Sequence, residues 1–166
     1  MANKYCFEAI VTFPNSKNNP KREHKLIAFR NAKDCFAYRN PYLKGAYEIN
    51  TYSFIRGNGK SALLFEGFLN FLSALSYRNF KGFYQYVFVL NSVHNALYIE
   101  HLIKEYDSGH GFLDNDDAGD QWTEWFKYSE INYTDHRNTY KNYNDFNDFI
   151  TGKKSKRYYR IRRLLF

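Results

Sequence analysis

The stretch from Tyr47 to Leu90 limits the fold more than any other part of the chain. Residues 61–76 carry apolar side chains at Ala62, Leu63, Leu64, Phe65, Phe68, Leu69, Phe71, Leu72, Ala74 and Leu75. Spacings of three and four wrap more than one face, so the segment reads as a nearly enclosed helix. The run Tyr86-Val87-Phe88-Val89-Leu90 lacks polar alternation. Such a strand is covered on both faces, as in a sheet with helices packed against it. Residues 47–55 read as a strand leading into a glycine-bearing turn, 56–60. With 44% apolar residues in 166, the chain can bury a core of its own.

Residues 5–13 read as a first strand, closed by Pro14-Asn15 and followed by a polar hairpin loop to residue 24. Residues 25–29 read as a short strand, and 31–39 as a short helix capped by Asn31 and stopped by Asn40-Pro41. A turn at 43–45 precedes the third strand. After the central helix, residues 84–90 form the fourth strand, and Asn91-Ser92 cap a helix over 93–106. Residues 107–120 read as a glycine- and aspartate-rich loop, with Asp120 capping a short helix over 121–127. A fifth strand falls at 128–133. Tyr143, Phe146, Phe149 and Ile150 mark a last helix ending at Gly152. The expected class is α/β (α+β): a mixed five-stranded sheet with helices on its faces, in one domain, 1–152. Residues 153–166 form a basic tail or edge strand.

This succession of elements resembles the ribonuclease H-like fold. The resemblance implies clustered carboxylates holding two metal ions, Mg²⁺ or Mn²⁺, which clamp both oxygens of an in-line phosphoryl displacement. The matching positions are Glu8, Glu66, Asn91, and Asp145 or Asp148. Asn91 departs from the pattern, because a neutral amide cannot supply a carboxylate's charge.

The net charge of +7 is blocked along the chain. Residues 1–99 hold 13 cations and 5 acids, residues 100–152 hold 4 and 12, and residues 153–166 hold 7 and none. The tail presents Lys153, Lys154, Lys156, Arg157, Arg160, Arg162 and Arg163 around Tyr158 and Tyr159. Cations interleaved with aromatic rings suit a phosphate backbone with stacked bases. The tail could instead lie against the acidic block, or on an anionic membrane. The turn with Arg56, Gly57, Gly59 and Lys60 could offer amides to a phosphate at a helix N-terminus. It is no P-loop, since Phe54 stands where that motif needs glycine.

The acidic loop offers Asp114, Asp116 and Asp117 beside Trp122 and Trp125, a candidate anchor for a host protein partner. It fails as a calcium loop because Ala118 and Trp125 occupy ligand positions. His94 and His101 are seven apart, and no His-x-x-x-His or Cys-x-x-Cys pair exists, so no zinc site is expected. Cys6 and Cys35 read as reduced core thiols of a cytoplasmic protein. No apolar run is long enough for a transmembrane helix, and the N-terminus lacks a signal-peptide core. The favoured reading is a small basic accessory protein of phage or plasmid origin that binds nucleic acid or a nucleoprotein, with no cofactor. The alternatives are a metal-dependent nuclease and an inhibitor of a host protein.

Overall fold

The computed structural model describes residues 4–13, 22–47, 51–77, 82–129 and 131–153. Two sheets organise them. Strands β1 (Cys6–Phe13), β2 (Arg22–Arg30), β3 (Phe36–Arg39) and β4 (Lys44–Tyr47) form an antiparallel sheet in that order. The second is a mixed five-stranded sheet, as the sequence implied. It comprises β5 (Ser53–Ile55), β6 (Ser61–Phe65), β7 (Tyr86–Val89), β8 (Ser108–Phe112) and β9 (Tyr133–Asp135), ordered β5-β7-β6-β8-β9. Strands β7, β6, β8 and β9 run parallel, and β5 is antiparallel at one edge.

Among the described residues four α-helices accompany the sheets: α1 (Phe68–Tyr77), α2 (Ala96–Ile103), α3 (Asp117–Tyr128) and α4 (Phe146–Thr151). The alternation of side chains along β6 and β7 divides the core in two. Leu63, Phe65, Val87 and Val89 face α1 and α4 in a cluster that also takes in Phe29 and Ala37 of the antiparallel sheet, Phe29 resting on Phe68 and Phe71 of α1. Ala62, Leu64, Phe88 and Leu90 face α2 and α3 through Ile99, Ile103 and Phe126. The absence of polar alternation at 86–90 is thus the mark of a strand enclosed on both faces.

Several expectations need correction. The early strands form their own sheet, and of the strand expected at 47–55 Tyr47 ends β4 while Ser53–Ile55 form β5, with 48–50 outside the described residues. The run 61–76 is not one helix. Its first five residues are the central strand β6, and helix begins only after Glu66-Gly67. A continuous apolar run fits a strand buried on both faces as well as a buried helix, so periodicity alone cannot separate them. Residues 31–35 form a tight turn, not a helix. Asn31 Oδ1 accepts from the amides of Lys33 and Cys35 at 3.0 and 3.1 Å, and Asp34 has φ 59°. Residues 44–45, expected in a turn, begin β4. The presumed loop at 107–120 contains β8 and the start of α3, whose cap is Asp116, not Asp120. Strand β9 lies later than expected. The last helix does end at Gly152, whose φ of 69° forms a left-handed cap.

Among the described residues, no helix is long and apolar enough to cross a membrane. Cys6 and Cys35 are half-buried.

Candidate metal centre

Strand β6 leads through α1 to β7 on one side, while β8 leads through α3 to β9 on the other. The adjacent parallel strands β6 and β8 therefore send their connections to opposite faces of the sheet. In open α/β sheets that switch point, at the carboxyl ends of the strands, opens a crevice for ligands. Each strand ends there in an acid: Phe65 is followed by Glu66, and Phe112-Leu113 by Asp114.

The two acids are locked together. The Asp114 amide donates to Glu66 Oε2 at 3.1 Å, and Asn70 Nδ2 donates to Asp114 Oδ1 at 3.0 Å. Asn70, on α1, is 4% exposed, and its own Oδ1 accepts from the Asn147 amide at 3.2 Å. Ser73 Oγ donates to Asn147 Oδ1 at 2.9 Å, which ties α4 to α1. Asn115 Nδ2 donates to the carbonyls of Tyr140 and Tyr143 at 3.0 and 2.9 Å. These bonds hold Asp145, the cap of α4, beside the pair. Gly119 seats α3, because a Cβ there would collide with the Asp114 carbonyl.

Electrostatics mark the cluster. Burial, then the charges of Glu66, Asp145 and Asp116, push the Asp114 carboxyl up to about 8. Burial also raises Glu66, opposed by the Asp114 amide, with Asp116 and Asp145 adding to the rise. Asp145 is raised by burial as well. Asp116 Oδ1 caps α3 by accepting from the Gly119 amide, and Asp145 Oδ1 caps α4 by accepting from the Asp148 amide at 2.6 Å. Glu66, Asp114 and Asp145 line one cleft, where a cation would favour their charged forms.

As placed, no three His, Cys, Asp or Glu side chains among the described residues form a ready cage for an ion. The donors still fit Mg²⁺ or Mn²⁺. Mg²⁺ is commonly held by one or two carboxylates, waters and substrate phosphates, without an all-protein cage. Glu66 and Asp114 would hold it, with Asp116 and Asp145 near enough to be felt by both. Asn91, whose buried Oδ1 has no partner among the described residues, lines the same cleft.

The family model for Toprim-like proteins matches residues 63–150, just over half of the chain. The chain belongs to the Toprim-like family. Every residue of the acid cluster falls inside the matched segment. In fold, this Toprim-like chain is similar to the primase fragment of the bacteriophage T7 primase-helicase protein. Their TM-score is 0.57 at 12% identity, and the likeness covers 78% of this chain and 59% of the T7 fragment. The chain thus spans about three-fifths of that neighbour. No curated protein matches it.

Of the sequence candidates, Glu66, Asp114, Asp116 and Asp145 come together. Asp148 is buried one turn into α4, where its Oδ1 lies 3.6 Å from Lys153 Nζ. Glu8 does not join them. It sits exposed on β1 of the other sheet, 3.6 Å from Lys25 Nζ. Asn91, at φ 61°, donates to the Thr51 carbonyl and to Ser53 Oγ, pinning β5 to the end of β7. The turn holding Arg56 and Lys60 leads into a strand, so it has no helix N-terminus to offer a phosphate. The amides of Asn58 and Gly59 are already spent on the Tyr84 carbonyl.

Asp117 lies in the first turn of α3. Trp122 packs against the α2–α3 core, and only Trp125 is exposed, its indole N–H donating to Glu100 Oε2 at 3.2 Å. The tail cations Lys154, Lys156, Arg157, Arg160, Arg162 and Arg163, with Tyr158, lie outside the described residues.

Proposed function

We propose that this Toprim-like chain is a nucleic-acid-processing protein in which Glu66 and Asp114, supported by Asp116 and Asp145, hold a divalent cation against a nucleic-acid phosphate. The observation that carries the reading is Asp114. It is an acid at a parallel-strand terminus, pushed up to about 8 by burial and by the acids around it. Such a cluster is costly without a cation and favourable with one. When bound, the ion neutralises charge on the phosphoryl oxygens and aligns the displaced group.

The chain's own residues do the rest. Asn70 fixes the Asp114 carboxyl, the Asp114 amide fixes Glu66, and Asn147 braces Asn70 from α4. The likeness to a phage primase fragment supports nucleic acid as the substrate class and an accessory role in a phage or plasmid. The basic tail and its two tyrosines would add contacts to the same polymer.

The test uses purified full-length protein with labelled single-stranded oligonucleotides and nucleoside triphosphates, with Mg²⁺, Mn²⁺ or EDTA. Affinity and products, whether cleaved or extended, are followed together. We expect a metal-dependent gain that Asp114→Asn abolishes in a folded protein. A wild-type protein whose affinity and products ignore the metal overturns the reading.

A further inference from the structure

The acid cleft has a basic wall supplied from outside the family-matched segment. Arg39 and Lys44 line it from β3 and β4, opposite Glu66, Asp114 and Asp145. They are cross-strand partners, so their side chains leave the same face of the sheet. Both are exposed, and neither has a carboxylate within ion-pair distance among the described residues. Their fields still reach the acids: Lys44 lowers Glu66, and Arg39 lowers Asp145.

The strand registers extend this wall. Lys44, Arg39, Ile27 and Glu8 stand opposite one another across the four strands. At about 4.8 Å per strand the row is roughly 14 Å long. The next row pairs Ile10 with Lys25, and Lys25 neutralises Glu8 at 3.6 Å. Toward the other end of the same face, Phe29 and Ala37 turn inward onto α1. Ile10 and Ile27 stay open, 56% and 47% exposed. A groove over this outer half is lined by Glu8, Lys25, Ile27 and Arg39, so Arg39 belongs to both the groove and the acid cleft.

We infer that the outer half of the antiparallel sheet is a track for a single nucleic-acid strand, with Arg39 and Lys44 holding its phosphates as it enters the acid cleft. Charge complementarity selects the occupant. Two unpaired cations face an anion, exposed isoleucines beside them offer apolar contact to bases, and the acids beyond need a phosphate-borne cation. The enclosed part of the cleft is only about 60 Å³, room for a phosphate group and a few waters at the acids and not for a duplex. The inference rests on the proposed function for what lies at the end of the track, and it adds the polymer's path and strandedness.

The test compares wild type with the Arg39→Gln/Lys44→Gln double variant, checked for folding by circular dichroism and thermal melting. Anisotropy of a labelled single-stranded 12-mer is read from 50 to 300 mM salt, a duplex of the same sequence serves as a second arm, and Mn²⁺ binding is read by electron paramagnetic resonance. Loss of two single-strand phosphate contacts should flatten the salt slope by about 1.4 and weaken binding several-fold at low salt. Mn²⁺ binding should be retained. A folded double variant with wild-type affinity and slope overturns the track, as does tighter wild-type binding to the duplex, or no binding to either. The metal reading fails separately, if wild type does not bind Mn²⁺ or if Asp114→Asn binds it as well as wild type.

Discussion

Replacing Asp114 with Asn tests the charge argument at its centre. The substitution keeps the shape and leaves an Oδ1 to accept the Asn70 hydrogen bond. It removes only the ionisable proton. Below pH 4 the carboxyl holds its proton in both folded and unfolded chains, so it costs nothing. From about 4 to about 8 the unfolded chain has released the proton while the folded chain retains it. The unfolded state then binds fewer protons, and folding stability falls as pH rises through that window. A rise from 3.8 to about 8, at ~1.4 kcal/mol per unit, sets a ceiling near 6 kcal/mol for the penalty at alkaline pH. Glu66 and Asp145, also raised, act with the same sign.

Urea denaturation in EDTA at pH 3.0, 6.5 and 8.5 should therefore show Asp114→Asn no more stable than wild type at the first value. At the last it should be more stable by about 2–6 kcal/mol. Mg²⁺ at millimolar concentration should stabilise wild type at pH 8.5 and leave the variant unmoved. Parallel pH profiles for the two proteins would refute the reasoning, whatever their activities.

Three further outcomes follow from the same contacts. Asn70→Leu strands the Asn147 amide and removes the donor from Asp114, costing about 1–3 kcal/mol per orphaned group; carbon-13 titration should show the Asp114 carboxyl moving further up, and an unmoved titration would discount Asn70 as its positioning residue. Phe68 stacks on Phe29 at 5.5 Å between helix and antiparallel sheet, so Phe68→Ala should cost about 3–5 kcal/mol, and an unchanged urea midpoint would mean the two sheets do not share that core. Changing Arg157, Arg160 and Arg163 to Glu should weaken nucleic-acid binding across all sequences and flatten the salt slope by about 2, whereas a wild-type slope in the folded variant would exclude the tail as a contact surface.

The α/β class and the doubly covered strand at 86–90 are legible in the sequence, because enclosure on both faces writes a continuous apolar run. The same rule hides β6. Ala62-Leu63-Leu64-Phe65 is equally continuous, and the helical residues after Gly67 extend it into something that looks like one long helix. That confusion hides the pairing of Glu66 with Asp114. With residues 61–76 read as helix, Glu66 is a lone acid on a buried face, and a search for strand-end acids reaches only Asn91. With β6 recognised, Glu66 is the first residue beyond a central parallel strand, and Asp114 stands in the matching place after β8. The local signal was an apolar run ending in an acid followed by glycine. A second apolar run, ending in Asp114-Asn115-Asp116 before a helix, completes it.

The blocked charge of the chain acquires a physical sense from this geometry. Among the 12 acids of residues 100–152, Asp114 and Asp145 line one crevice with Glu66 and Asp116 acts on it through its charge, while Asp120 and Asp135 are spent on Arg137. The acid block therefore holds acids paired with cations of the protein and acids gathered about the crevice with no such pair. The cations of residues 1–99 divide in the same way: Lys25 and Arg30 are paired to Glu8 and Asp34, while Arg39 and Lys44 face the crevice with no carboxylate in ion-pair distance among the described residues. A stable protein gains little from separating unpaired acids from unpaired cations across a cleft, when closing the gap would satisfy both. The separation makes sense if something stands between them that needs each sign. A metal-bearing phosphate does, with its cation against the acids and its oxygens toward Arg39 and Lys44.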